Sequence, residues 1–187
     1  MREDYRSLTN KTLTFLRLAA ARYDAQFVVK ADDDIFLRLD RIPAAVAQWS
    51  ARRADYIGCM KTGQIYKTPN MRWFEPQHAV LGGESYFTHC WGTIYVLSGR
   101  AAAAVAAMPS GSMRFFANED VTVGSWMLAF AMRHLDDRRL CETACTDTNV
   151  AVYDMPKCAW LCDAAKRLPE LHAMPEVGAG EQENTGG

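Results

Sequence analysis

A helical repeat, an apolar strand and an acidic cluster follow one another between Ser7 and Asp34, and this order restricts the chain more than any other feature. From Ser7 to Tyr23, Leu8, Phe15, Leu16, Leu18 and Ala19 fall at helical spacing, with Ser7 placed to cap the helix. The spacing predicts a core-facing helix. It runs into Ala25 to Lys30, whose Phe27-Val28-Val29 centre favours a buried strand. That strand ends on Asp32-Asp33-Asp34. Three adjacent carboxylates repel one another unless solvent or a cation screens them. The cluster is therefore either a solvated turn or a site for a hard divalent cation, which oxygen ligands suit. In extended backbone Asp32 and Asp34 share one face while Asp33 points away.

The same alternation continues. Asp40 is placed to cap a second helix in which Ile42, Val46 and Trp49 line one face and Pro43 sits in the first turn. Tyr56 to Met60 reads as a strand. Lys61 to Gly83 is polar and irregular, a long loop of the kind that often carries function. Thr93 to Leu97 regains strand character, and Ser98 can cap an Ala-rich helix from Gly99 to Met108 that Pro109 stops. Asn118 can cap a largely buried helix from Glu119 to about Arg133, with Val121, Leu128 and Met132 in one apolar row and Trp126, Met127 and Phe130 broadening it. Strands alternating with helices predict an α/β domain whose loops at the carboxyl ends of strands carry the site. After Pro169 the composition drifts to Pro, Gly, Glu and polar residues, so we expect a domain over 1–168 and a disordered tail over 169–187.

Composition excludes some functions. With 21 basic and 22 acidic residues the net charge is -1, so no global field draws the chain to nucleic acid or an anionic membrane. No apolar stretch approaches the ~20 residues of a membrane span, and no signal segment opens the chain. Membrane attachment or secretion would depend on sequence outside it. The six cysteines are Cys59, Cys90, Cys141, Cys145, Cys158 and Cys162. The late pairs at Cys-x₃-Cys spacing are open to disulfides in an oxidising lumen, a four-thiolate zinc site, or free thiols.

Four blocks occur in order: Asp4-Tyr5-Arg6-Ser7-Leu8-Thr9-Asn10-Lys11-Thr12, Val29-Lys30-Ala31-Asp32-Asp33-Asp34, Tyr56-Ile57-Gly58-Cys59-Met60-Lys61-Thr62-Gly63 and Asn118-Glu119-Asp120-Val121-Thr122-Val123-Gly124-Ser125-Trp126. Together they resemble the β-1,3-galactosyltransferase-like group, glycosyltransferase family 31. Gly58-Cys59-Met60-Lys61 and Asp136-Asp137-Arg138-Arg139-Leu140-Cys141 resemble its plant and algal branch. The resemblance implies a GT-A fold, a Rossmann-like α/β sheet using a UDP-sugar donor with Mn²⁺ or another divalent cation. It places the metal on Asp32 and Asp34, the donor's ribose or sugar near Asp33, and the general base at Asp120. A carboxylate near a helix N-terminus is held ionised by the dipole, which suits proton acceptance, although acidic residues also decorate first turns without any such role.

The implied reaction is a single in-line displacement with inversion, passing a hexose (galactose or N-acetylglucosamine) to a glycan or glycoprotein hydroxyl. His134 is a candidate third metal ligand. Arg138 is a candidate diphosphate partner, as is Arg139, although pairing with Asp136 and Asp137 or facing solvent is the competing reading. Trp73, Phe74, Tyr86, Phe87 and Trp91 are candidates for sugar stacking or for core. Asn10-Lys11-Thr12 fits the N-glycosylation pattern. Relatives of this kind carry a cytosolic tail, an anchor, a stem and the first donor-binding strands ahead of the segment matching Asp4. The expectation is a domain partial at its N-terminus, from a type II protein of the Golgi lumen anchored through a segment this chain lacks. A non-catalytic relative that binds glycan or a partner protein is the alternative.

Overall fold

The computed structural model describes residues 8–109, 111–155 and 157–174. Ser7, the expected cap, lies outside them, as do 175–187 of the expected tail. Helix α1 (Leu8–Arg22) buries Thr9, Thr12, Leu13, Leu16 and Ala19, a row at i, i+3, i+4 and i+7. Phe15 and Leu18, expected in the core, are exposed. Two threonines take their place inward because the Thr12 hydroxyl donates to the buried Glu119 carboxylate (2.7 Å). That contact also buries the threonine of the glycosylation pattern.

Strand β1 (Phe27–Ala31) leads through the acidic turn to the short β2 (Phe36–Leu37), a 3-10 turn at Leu39–Arg41 and helix α2 (Ile42–Ala51). Asp40 does not cap α2. Its carboxylate accepts from Arg38 instead (2.9 and 2.7 Å), and Arg41 occupies the cap position. Strand β3 (Tyr56–Lys61), helix α3 (His78–Leu81) inside the long loop, strand β4 (His89–Ser98) and helix α4 (Gly99–Ala106) follow. Ser98 caps α4 as expected, its hydroxyl accepting from the Ala101 N–H (3.1 Å). Helix α5 (Glu119–Ala129), strand β5 (His134–Asp136), a 3-10 turn at Arg138–Leu140, strand β6 (Ala151–Val152) and helix α6 (Ala164–His172) complete the order.

The main sheet runs β1-β4-β3-β5, with β4 antiparallel to both neighbours and β3 parallel to β5. The molecule is thus a mixed α/β domain whose sheet contains a parallel pair. One core lies beneath α1, α4 and α5 around Leu16, Tyr95, Val123 and Met127; the other lies around Trp49, Ile57, Val96 and Tyr153. Helix α5 ends at Ala129, short of Arg133, because Ala131 takes a left-handed conformation (φ 50) and Asp55 captures the Arg133 N–H (3.0 Å), returning the chain to the sheet. Leu128, expected inward, is exposed. Helix α6 continues through Pro169 to His172, so helical backbone crosses the expected boundary at 169.

Two disulfides resolve the cysteine alternatives. Cys59 pairs with Cys141 and Cys158 with Cys162, while Cys90 and Cys145 are free thiols. The four late cysteines build no zinc site, because Cys141 is committed to β3.

Candidate active site

Register creates the site. Tyr95 faces Gly58 and Cys90 faces Met60, so five steps on β4 oppose two on β3 and the intervening Trp91, Gly92 and Thr93 bulge out of the ladder. Bulges of this kind re-aim side chains and are enriched beside active sites. On the β1 side pairing stays regular to Ala31 and Ile94, and the Asp32 N–H then donates to the Thr93 carbonyl (2.9 Å). The acidic turn is therefore tied to the bulge.

It is tied from the other side as well. The Thr93 hydroxyl donates to the Ala159 carbonyl (2.6 Å), and the Leu161 N–H donates to the Asp34 carbonyl (2.8 Å). The Ala159 carbonyl and the Leu161 N–H both belong to the loop that the Cys158–Cys162 disulfide closes. Lys30 pairs with Asp32 and also donates to the Gly92 carbonyl. Asp33 is exposed. Asp34 differs from both: its Oδ1 is buried and has no hydrogen-bond partner among the described residues. Burial, followed by the neighbouring Asp32 charge, raises its pKa. A buried carboxylate oxygen without a donor calls for a proton or a cation, so this turn fits a hard divalent ion on Asp32 and Asp34. Among the described residues no three His, Cys, Asp or Glu side chains converge on such an ion.

The second centre lies across Gly92. A Cβ placed on Gly92 would stand 3.4 to 3.6 Å from the Asp120 side chain. Asp120 lies in the first turn of α5, where its Oδ1 accepts the Val121 N–H (2.9 Å), leaving the expected cap Asn118 without a side-chain capping bond. Its Oδ2 faces the Lys61 ammonium at 3.0 Å and His89 Nε2 at 3.8 Å. The Lys61 ammonium also sits 3.9 Å from the centre of the Trp91 ring, a cation–π contact. Helix α5 reaches this place because Gly124, one turn after Asp120, packs on β4: a Cβ there would lie 2.6 Å from His89 Cβ.

Adjacent Glu119 points inward, with its Oε1 accepting from Thr12 (2.7 Å) and Tyr95 (2.6 Å). Burial raises its pKa. Glu119 therefore anchors α5 to α1 and β4, and Asp120 is left to face Lys61 and His89. Sequence reasoning missed Lys61, His89 and Lys30. Lys61 stands in a block that signalled the family, but no motif distinguishes His89, and only three-dimensional register assembles them.

Other candidates lie elsewhere. His134 begins β5 and is in register with Tyr56, whose neighbour on β4 is Leu97, itself opposite Val28. It is thus three strands across from β1 and toward the opposite end of the sheet from Asp32, and the structure does not bring it to the acidic turn. Its Nδ1 bonds to the Met132 carbonyl (2.9 Å) and its ring packs edge-on against Tyr56. Arg138 pairs with Asp136 (2.9 Å) and donates to the Met60 carbonyl, and Arg139 pairs with Asp137 (2.6 Å), which is the competing reading for both. Tyr86 is buried and donates to Glu75 (3.2 Å), and Phe87 packs on Phe116. Trp73 and Phe74 lie in the long loop, half-buried, with Arg72 over the Trp73 ring. Trp91 meets the Asp120 cluster through Lys61, and Tyr86 and Phe87 meet it edge-on through His89.

Residues 1–138 match the family model described as Galactosyltransferase, and the chain belongs to that family. Within it, the chain is 48% identical over 170 residues to the probable beta-1,3-galactosyltransferase 12 of Arabidopsis thaliana, covering 91% of this chain and 46% of that protein. It is 45% identical over 172 residues to the probable beta-1,3-galactosyltransferase 13 of the same plant, covering 92% and 50%, and 35% identical over 190 residues to the probable beta-1,3-galactosyltransferase 4, covering 96% and 46%. The chain spans about half the length of the curated relatives it matches. No helix among the described residues is long and apolar enough to cross a membrane.

Proposed function

We propose that this chain carries the metal-binding and base-bearing part of a GT-A-type, inverting transferase that moves galactose from UDP-galactose to a glycan or glycoprotein hydroxyl in a β-1,3 linkage, in the Golgi lumen. One observation carries the reading: the Asp32–Asp34 turn and Asp120 flank the same bulge, linked through Lys30 and Gly92. A site that must hold a diphosphate and deprotonate an attacking hydroxyl needs two carboxylate centres side by side with different partners. Here one has an orphaned oxygen for a cation, and the other faces an ammonium at 3.0 Å.

Asp32 and Asp34 would hold a Mn²⁺ or Mg²⁺ ion through their carboxylate oxygens. When bound, such an ion neutralises charge that grows on the departing diphosphate. Asp120 takes the proton of the acceptor hydroxyl through Oδ2, since Oδ1 is occupied by the Val121 N–H. Lys61 pairs with the same Oδ2 and fixes its position. Trp91 orients the Lys61 ammonium over its ring. Fixing base, acceptor and donor in one geometry supplies a large part of the acceleration.

The test measures UDP release and acceptor-linked product with UDP-galactose, UDP-N-acetylglucosamine and related donors. Asp120→Asn is expected to lower turnover about 100- to 10,000-fold while donor binding persists. Asp34→Asn is expected to uncouple UDP binding from Mn²⁺ in a calorimetric titration. Metal-coupled UDP binding without transfer from any donor would overturn the catalytic reading in favour of a binding module.

A further inference from the structure

His89 is 1% exposed and belongs to no motif, yet its ring lies between two defined partners. Nδ1 is 2.8 Å from the Phe87 carbonyl, which can only accept. Nδ1 must therefore carry a hydrogen, and in the neutral ring Nε2 is a bare lone pair. The nearest charged atom to Nε2 that the structure pairs with it is Asp120 Oδ2, 3.8 Å away, another acceptor. Two acceptors face each other across a gap that closes favourably only with a proton between them. The groups around the ring are few. Asp120 and Gly124 reach it from α5, Lys61 neighbours it from β3 through Asp120, and Gly63, Tyr86 and Phe87 come from the flanking loops, with the Tyr86 hydroxyl committed to Glu75.

We infer that His89 is a positioning residue of the transfer reaction, which stores on Nε2 the proton that Asp120 Oδ2 removes from the acceptor. This rests on the proposed transferase function. As the acceptor oxygen bonds to the anomeric carbon, its O–H bond breaks and the proton goes to Asp120 Oδ2. The bond from the anomeric carbon to UDP breaks with its electron pair leaving on UDP. The proton then shifts to His89 Nε2, giving an imidazolium beside a regenerated Asp120 carboxylate, and returns to solvent through Asp120 once product has left. Lys61 stays paired with Asp120 Oδ2 at 3.0 Å. Burial lowers the His89 pKa while Asp120 works against it, so the ring starts each cycle neutral at neutral pH.

Long-range proton–nitrogen NMR of the full chain labelled at histidine is expected to show Nδ1 protonated and Nε2 bare at neutral pH. His89→Gln assigns the signals. Asp120→Asn is expected to move the His89 titration to lower pH, because the anion that favours the imidazolium is gone. In turnover, His89→Gln is expected to lower kcat about tenfold or more with KM for the donor nearly unchanged, and to move the acid limb of the kcat profile to lower pH. An Nε2-protonated tautomer, or a folded His89→Gln variant with the wild-type kcat and acid limb, overturns the inference. If that variant does not fold, the wild-type tautomer and the Asp120→Asn titration decide it without turnover. A wild-type chain that shows the bare Nε2 and the coupling but transfers no sugar counts against the transferase reading instead.

Discussion

Glu119 and Asp120 are neighbours in sequence and opposites in environment. Helical geometry turns them onto different faces: Glu119 meets Thr12 and Tyr95 in the core, and Asp120 meets Lys61 and His89 beside the β4 bulge. Their substitutions should separate accordingly. Because burial raises the Glu119 pKa in the folded chain, the fold favours its protonated form; that contribution is complete below the unfolded glutamate pKa of about 4.3 and is lost as pH rises through the folded value. Glu119→Gln keeps an oxygen for both hydroxyl donors and removes the ionisation. Urea unfolding is expected to find it at least as stable as wild type at about pH 8, with the two converging near about pH 4. Wild type remaining the more stable at both values would show that the carboxylate itself, and not its shape, secures α5.

At the scale of elements, the contact between α5 and β4 sets the distance from Asp120 to His89. Gly124→Ala tests it. Helix propensity alone favours alanine by about 1 kcal/mol, but the new Cβ would lie 2.6 Å from His89 Cβ, which is fixed to the β4 backbone and cannot swing aside. Overpacking of this sort costs about 1–3 kcal/mol, so the net expectation is a loss of up to about 2 kcal/mol in thermal unfolding, with turnover reduced because α5 is lifted off the sheet. Gly83→Ala, whose Cβ would meet nothing closer than 3.7 Å, is the control. This contact was not legible in the sequence, although much around it was. Phe27–Val29, Tyr56–Met60 and the Ser98 cap could be read because local propensity and tertiary demand agree there. Strand β5 could not: it is three residues long, and what ends α5 before it is the capture of the Arg133 N–H by Asp55, 78 residues away in the chain. The acidic turn and the Glu119-Asp120 pair were legible through their motifs. Lys30, Lys61 and His89 become site residues only through the β4 bulge, which no local pattern records.

Across the whole molecule the two disulfides divide the work of holding the site. Cys59–Cys141 closes 82 residues, a loop that contains Lys61, His89 and Asp120 and excludes the acidic turn. Cys158–Cys162 closes only four, but its loop supplies the Ala159 carbonyl and Leu161 N–H that brace Thr93 and Asp34. The chain-entropy contribution of a crosslink grows with the loop it closes. The paired Cys59→Ser and Cys141→Ser variant is therefore expected to lose about 2–5 kcal/mol in urea unfolding, with Mn²⁺-coupled UDP binding kept wherever the protein remains folded. The paired Cys158→Ser and Cys162→Ser variant should lose less stability and more ligand coupling, since the brace on Asp34 loosens while the core is untouched. Equal losses of stability and coupling in both variants would mean that the acidic turn depends on global stability alone. Selective loss of coupling in the second would place the control of the acidic turn in a loop more than a hundred residues downstream, beyond residues 1–138 that match the family model.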